Sequence, residues 1–70
     1  MAKQIVAVYC REDVHIPGKS DLRRFFLAKD GHEFKADAAG VAVWHREEPN
    51  AETYIPWANV LDLRRAEVLK

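Results

Sequence analysis

The sequence predicts a small, single-domain protein built mainly of β-strands, and three observations lead to this expectation. Seventy residues are enough for one domain at most. Short runs rich in β-branched and aromatic residues recur along the chain, for example at residues 5–10 and 40–46. Polar segments containing glycine or proline separate these runs, and the chain shows no internal repeat or linker. We therefore expect residues 1–70 to form one small β-barrel domain of five to six strands.

The first apolar run, residues 5–10, is typical of a central strand because it is apolar on both of its faces. The charged residues 11–13 are expected to end this strand. A loop is predicted over residues 15–20, where Pro17 and Gly18 form a common turn signal.

Residues 21–29 carry signals for both a strand and a short helix. As a helix, the segment would begin at an N-cap, Ser20, and stop before Gly31. As a strand, it would pair with residues 32–37 across a two-residue turn formed by Asp30 and Gly31. Because residues 32–37 alternate in polarity, we favour the strand and a hairpin at this turn.

The predicted hairpin has a definite register, in which Lys29 lies opposite His32. Four apolar residues would then share the core face as two cross-strand pairs, Leu27 with Phe34 and Phe25 with Ala36. Three residues would share the opposite face, namely Arg24, Phe26 and Lys35.

A second hairpin is predicted from residues 40–46 and 52–55, which flank a polar turn at residues 47–51. The pairing of Arg46 with Glu52 would set its register. Two further pairs follow from that register, Val43 with Ile55 inside and Trp44 with Tyr54 on the outer face.

Pro56 cannot donate a hydrogen bond to a strand ladder, so a single helical turn is predicted over residues 56–59. A last strand is expected over residues 60–63. Residues 64–70 are rich in charge and are expected either to fray or to add a short C-terminal turn of helix.

Residues 54–60, which read Tyr-Ile-Pro-Trp-Ala-Asn-Val, resemble the closing element of SH3-like barrels. In that fold a strand ends in an Ile-Pro or Val-Pro step, one tight helical turn follows, and a valine begins the final strand. The resemblance implies a small SH3-like barrel. The peptide-binding members also carry an Ala-Leu-Tyr-Asp-Tyr stretch and a paired tryptophan. Here residues 6–10 read Val-Ala-Val-Tyr-Cys and no Trp-Trp pair occurs, so recognition of proline-rich peptides is not implied.

The compact layout that ends in this segment is also similar to short accessory proteins of bacteriophage genomes. That resemblance implies a phage-encoded protein that works in the cytoplasm of the host cell. Cys10 is the only cysteine, which excludes an intrachain disulfide and favours a reducing compartment. The apolar run at residues 5–10 is too short for a signal-peptide core or a membrane span.

The charge balance and the spacing of residues argue against charge-driven binding, metal sites and catalysis. Eleven basic and eleven acidic residues cancel, so no overall charge favours nucleic acid or an anionic membrane. The three histidines lack zinc-site spacing and are expected to be solvated surface groups. Cys10 with His15 or His45 is the only conceivable catalytic pair, and a cysteine within an apolar strand is usually inert. We expect no enzyme activity, no cofactor and no metal.

The remaining candidate for function is a surface that combines aromatic and basic side chains. Such surfaces serve protein–protein interaction, in which tyrosine, tryptophan and arginine dominate, or the binding of single-stranded nucleic acid. We favour a protein partner or self-association, with nucleic acid as the alternative. A third interpretation is that the outward aromatic residues form a second small core. The predicted partner-binding residues are Arg24, Phe26, Lys35, Trp44, Tyr54 and Trp57. The nucleic-acid alternative would use Arg23, Arg24, Lys35, Trp44 and Tyr54.

Overall fold

The structure is a computed structural model that describes residues 3–67, and the prediction of a mainly β protein is confirmed. The described residues form two antiparallel three-stranded sheets, with strand order β2-β1-β6 in the first sheet and β3-β4-β5 in the second. None of the helical segments in this part of the chain is long and apolar enough to cross a membrane. The strands are β1 (Lys3–His15), β2 (Leu22–Leu27), β3 (His32–Ala36), β4 (Gly40–His45), β5 (Glu48–Pro56) and β6 (Val60–Glu67).

The core lies where the inner faces of the two sheets meet. Each sheet contributes three residues that are almost completely buried, and partly buried apolar side chains pack around them. The prediction that Val43 and Ile55 point inward is confirmed, since neither is exposed. The six central residues are Val8, Cys10 and Phe26 from the first sheet and Val41, Val43 and Ile55 from the second.

Strand β1 does not end at the charged residues 11–13, as the sequence predicted, but runs on to His15. The pairing of β1 with β2 shifts in register between Tyr9 and Val14, so the charged residues occupy the irregular part of the strand. The side chain of Asn59 holds this segment by accepting a hydrogen bond from the backbone N–H of Glu12 at 2.8 Å. A bulge with its own hydrogen-bond partner thus replaces the expected break.

Residues 22–27 form a strand, as predicted, but the predicted hairpin at Asp30 and Gly31 is wrong. Strand β2 pairs with β1, whereas β3 pairs with β4 in the other sheet. A two-residue hairpin of the predicted type needs positive φ at both central residues, and here only Gly31 has it, at 99°. Residues 28–30 instead form one turn of 3₁₀ helix, which carries the chain from the first sheet to the second.

The loss of this hairpin reverses the predicted faces of β2. Phe26, predicted to point outward, is fully buried beside its cross-strand partner Val8. Phe25, predicted for the core, is 43% exposed. Its ring lies beneath the guanidinium of Arg23, whose central carbon is 5.6 Å from the ring centroid.

The second hairpin forms as predicted, with its register shifted by two residues. Ala42 lies opposite Tyr54, and Trp44 lies opposite Glu52. Strand β5 begins as early as Glu48, and the mismatch is absorbed by an irregularity between Trp44 and His45. Because the shift is even, every side chain keeps its predicted face. Trp44 and Tyr54 therefore share the outer face as diagonal neighbours and not as a direct pair.

The helical turn predicted before the last strand is confirmed, but the last strand is longer than predicted. Residues 57–59 form a single 3₁₀ turn, and β6 begins at Val60. Residues 64–67 neither fray nor form a helix, because they pair with the start of β1, as in Ile5 with Arg65. Residues 68–70 lie outside the described part.

His32 is not the solvated surface group that the sequence predicted. His32 is 6% exposed. It is the first residue of β3, and its side chain points to the inner face of the second sheet. Its ring contacts Phe26 and His45 edge-on, with centroid separations of 5.2 and 5.3 Å. The Nδ1 atom of His32 is buried and has no hydrogen-bond partner among the described residues. Burial, which disfavours the charged imidazolium, lowers the pKa of His32 below 6.5.

This lowered pKa predicts that acid weakens the fold through His32. As the pH falls below about 6.5, His32 becomes protonated in the unfolded chain but stays neutral in the folded chain, because its pKa is lower there. The free energy of unfolding therefore decreases by up to about 1.4 kcal/mol per pH unit. The change His32→Phe should remove this part of the loss. Urea unfolding at pH 7.5 and pH 5.5 measures it. His15→Gln, at an exposed histidine, should keep the wild-type loss, and an equal loss in His32→Phe would contradict the assignment.

Candidate functional site

The six predicted partner-binding residues do not form one surface. Phe26 is in the core and cannot reach a partner. Arg24 lies on the first sheet, where its Nε donates a 2.8 Å hydrogen bond to Asp13 Oδ1. The nucleic-acid set is divided in the same way, since Arg23 also lies on β2. Four predicted residues remain together on the second sheet or at its end: Lys35, Trp44, Tyr54 and Trp57.

The outward side of the second sheet is organised in two cross-strand rows. One row places Trp44 between two carboxylates, Glu33 on β3 and Glu52 on β5. In the other row, Ala42 separates Lys35 from Tyr54. The small Ala42 side chain leaves the ring of Tyr54 uncovered, and Tyr54 is 45% exposed.

The indole of Trp44 is held in place by one of its acidic neighbours. Its Nε1–H donates to Glu33 Oε1 at 3.0 Å, which fixes the ring across the strands. A groove of about 590 Å³ runs from this point along the edge of β3, with Phe34 and Ile5 among its lining residues. Trp44 therefore lies at the border between the outward side of the sheet and this groove.

Asp37, in the turn between β3 and β4, organises the other end of the sheet. Its Oδ1 accepts hydrogen bonds from the backbone N–H groups of Ala39 at 2.8 Å and Gly40 at 3.0 Å. The same oxygen accepts the hydroxyl of Tyr54 at 2.8 Å. One carboxylate oxygen thus closes the turn and anchors an aromatic ring from β5.

Trp57 is bound to the same turn through its backbone and its side chain. Its backbone N–H donates to the carbonyl of Ala39 at 3.2 Å, and its indole Nε1–H donates to the carbonyl of Asp37 at 2.9 Å. Even so, Trp57 is 39% exposed. The polar atoms of Trp57 and Tyr54 are therefore both held at Asp37, while the rings stay partly exposed.

The charge of Asp37 follows from these contacts. The hydrogen bonds from Tyr54, Ala39 and Gly40 lower the pKa of its carboxyl, with a smaller contribution from Lys35 nearby. Partial desolvation and then the hydrogen bond to the carboxylate raise the pKa of Tyr54. At neutral pH Asp37 is an anion and Tyr54 is a neutral donor.

Together these groups form what we call the acidic–aromatic face, in which three aromatic rings lie beside three exposed carboxylates. Within the two cross-strand rows on this side of the sheet, Lys35 is the only cation. A phosphate backbone would meet unfavourable charge here. The face consists of Glu33, Asp37, Trp44, Glu52, Tyr54 and Trp57.

The other candidates for chemistry are located away from this face. Cys10 is 3% exposed, and burial raises the pKa of its thiol, so it remains protonated. His45 is already engaged, since its Nε2 lies 3.0 Å from the carbonyl of Asp30 and its Nδ1 accepts the N–H of Glu47. Within residues 3–67, no three histidine, cysteine or acidic side chains are grouped so as to hold a metal ion.

Sequence reasoning identified the aromatic residues of the face and missed its carboxylates. Asp37 precedes two alanines and a glycine between two strands, a composition that favours a turn closed by its own aspartate side chain. Glu33 alternates with Lys35 on β3 and so had to share its face. The contact between Asp37 and Tyr54, by contrast, depends on how the two ends of the sheet meet.

Comparison with known proteins adds no relative. No protein-family model matches the chain, and neither the curated proteins nor the solved structures contain a significant match.

Proposed function

We propose that this protein is a non-enzymatic binding module that acts through protein–protein interaction at the acidic–aromatic face. The observation that carries the proposal is the state of Tyr54 and Trp57. Both are large aromatic residues that stay exposed while hydrogen bonds to Asp37 hold their polar atoms in place. Aromatic side chains that are already ordered lose little entropy on binding, which is characteristic of interface hot spots.

The finer fold assignment supports the same function. We propose that the two sheets belong to an SH3-like barrel, because the strand, the single 3₁₀ turn at residues 57–59 and the final strand from Val60 follow that closing element. Domains of this size bury little surface on their own, so contact with a partner or a second copy would add stability.

Nucleic-acid binding is the weaker candidate. Single-stranded nucleic acid needs aromatic rings interleaved with cations, whereas here Trp44 lies between Glu33 and Glu52. The arginines of β2 belong to the other sheet. No observation favours this function over a protein partner.

The test is affinity capture from cells that naturally make the protein, with the tagged wild type and two variants. Tyr54→Ala should lose the captured protein, because removal of a central aromatic residue commonly weakens an interface by about 2 kcal/mol or more. Leu61→Ala is the matched control. Leu61 is 58% exposed and lies on β6 in the other sheet, so its loss should leave capture unchanged.

Circular dichroism and thermal melting must first show that both variants are folded. The proposal is wrong if folded Tyr54→Ala captures the same protein as the wild type. Capture that disappears on nuclease treatment, together with oligonucleotide binding that weakens steeply with salt, would support the nucleic-acid alternative instead.

A further inference from the structure

We infer that the partner presents a basic side chain, an arginine or a lysine, which binds at Asp37 next to Tyr54 and Trp57. This inference rests on the proposed function and specifies the chemistry of the partner. It follows from three properties of that end of the face: an available carboxylate oxygen, two exposed rings and the charge of the surrounding surface.

The first property is an unused acceptor. Asp37 Oδ1 already accepts three hydrogen bonds, from Tyr54, Ala39 and Gly40. Its other oxygen, Oδ2, accepts none from residues 3–67, and the side chain is exposed. The carboxylate can therefore take a charge-assisted hydrogen bond from an incoming cation without giving up the bonds that shape the turn.

The second property is the position of the two rings. The hydroxyl of Tyr54 donates to the carboxylate of Asp37 and the indole N–H of Trp57 donates to the main-chain carbonyl of the same residue, so both rings are anchored at Asp37. Each retains about two fifths of its surface in contact with solvent. A guanidinium or ammonium group next to Asp37 would also meet aromatic surface, and the attraction between a cation and an aromatic ring adds to the ion pair.

The third property is the surrounding charge. Farther along the face, Glu33 and Glu52 flank Trp44, so a peptide with more than one basic residue would meet further carboxylates. Lys35, which lies near Asp37, opposes a cation there, and Lys3 and Arg46 line the groove beside Glu33 and Trp44. The attraction for a cation therefore comes from Asp37 itself and from the two carboxylates that flank Trp44. An acidic or phosphorylated segment would be repelled by the same arrangement.

The probe for the test is a pentapeptide in which glycine alternates with arginine. Two matched peptides replace arginine with citrulline, its neutral isostere, or with glutamate. Each is titrated into ¹⁵N-labelled protein at low salt and followed by nuclear magnetic resonance. The arginine peptide should give saturable shifts at the Trp57 indole N–H and at the amides of Ala39 and Gly40. The citrulline peptide should bind about tenfold more weakly or not at all, and added salt should weaken the arginine peptide.

The variant for the test is Asp37→Asn, which keeps an oxygen for the turn and removes the charge. It should bind the arginine peptide about tenfold more weakly than the wild type. Equal binding of the arginine and citrulline peptides, unchanged binding by Asp37→Asn, or shifts confined to the first sheet would each overturn the inference. If Asp37→Asn does not fold, the comparison of the two peptides on the wild type still decides.

This outcome can be separated from the proposed function. Should the captured partner be lost with Tyr54→Ala but retained at full affinity by Asp37→Asn, the face binds a protein and the cationic anchor is wrong. Should Tyr54→Ala leave capture unchanged, the proposed function itself is wrong, whatever the peptides show.

Discussion

The change Phe26→Ala is expected to remove a large part of the protein's stability. Phe26 is fully buried between the sheets, and truncation of a core phenylalanine costs about 3–5 kcal/mol. At about 0.05–0.15 kcal/mol per residue, a chain of 70 residues has roughly 3.5–10 kcal/mol of total stability. The expected loss is therefore between about a third of the total stability and all of it. Urea unfolding followed by tryptophan fluorescence measures it.

The neighbouring residue provides the matched control. Phe25 has the same side chain one position earlier in β2, but it is 43% exposed and packs beneath Arg23. Phe25→Ala should cost less, about 1–2 kcal/mol, because it removes a partly buried ring together with a cation–aromatic contact worth about 0.5–1 kcal/mol. A larger loss of stability in Phe25→Ala than in Phe26→Ala would favour the hairpin that the sequence predicted. It would contradict the observed pairing of β2 with β1.

The second large effect is expected at Gly40, where alanine should destabilise the protein by about 3 kcal/mol. A Cβ at this position would overlap with the backbone carbonyl oxygen of Ile55 and lie 2.8 Å from Cα of Pro56. Backbone atoms cannot move aside as a side chain can, so β4 and β5 would have to separate. Urea unfolding of Gly40→Ala gives the free-energy change.

The same substitution should also disturb the candidate site. The N–H of Gly40 donates to the side chain of Asp37, whose carbonyl accepts the indole N–H of Trp57, so the Trp57 indole resonance should shift in any folded fraction. Gly18→Ala is the control. Gly18 has positive φ, at 77°, but a Cβ there would meet only side-chain atoms, of Ala51 at 3.1 Å and Glu48 at 3.7 Å, so about 1–2 kcal/mol is expected. If Gly18→Ala proves the more damaging change, the close approach at Gly40 is not the constraint inferred here.

Most strands could be predicted from local patterns. Residues 5–10 and 40–45 are rich in β-branched and aromatic residues, and both lie in strands. The strand at residues 22–27 was favoured on the strength of a hairpin that does not form. The proline at position 56 also identified the single 3₁₀ turn that follows it. These features depend on neighbours a few residues apart, which the linear sequence displays directly.

The candidate site was predicted only in part. The outward direction of Trp44 and Tyr54 follows from alternation along their own strands, and it survived a register shift of two residues. Asp37 was missed as a functional residue, although it positions both Tyr54 and Trp57. Its role arises because the turn after β3 meets the end of β5, which are separated by 17 residues in the chain.

By itself, the sequence determined that the protein is mainly β, where most of its strands lie, and which face most side chains of the second sheet present. Only the tertiary structure decided which strand pairs with β2. That pairing places Phe26 in the core and Phe25 on the surface, the reverse of what the sequence predicted. The physical reason is that a period of two tells which residues share a face but not which strand lies beside them. The chain passes from the first sheet to the second at residues 28–31, where a 3₁₀ turn is followed by one glycine with positive φ.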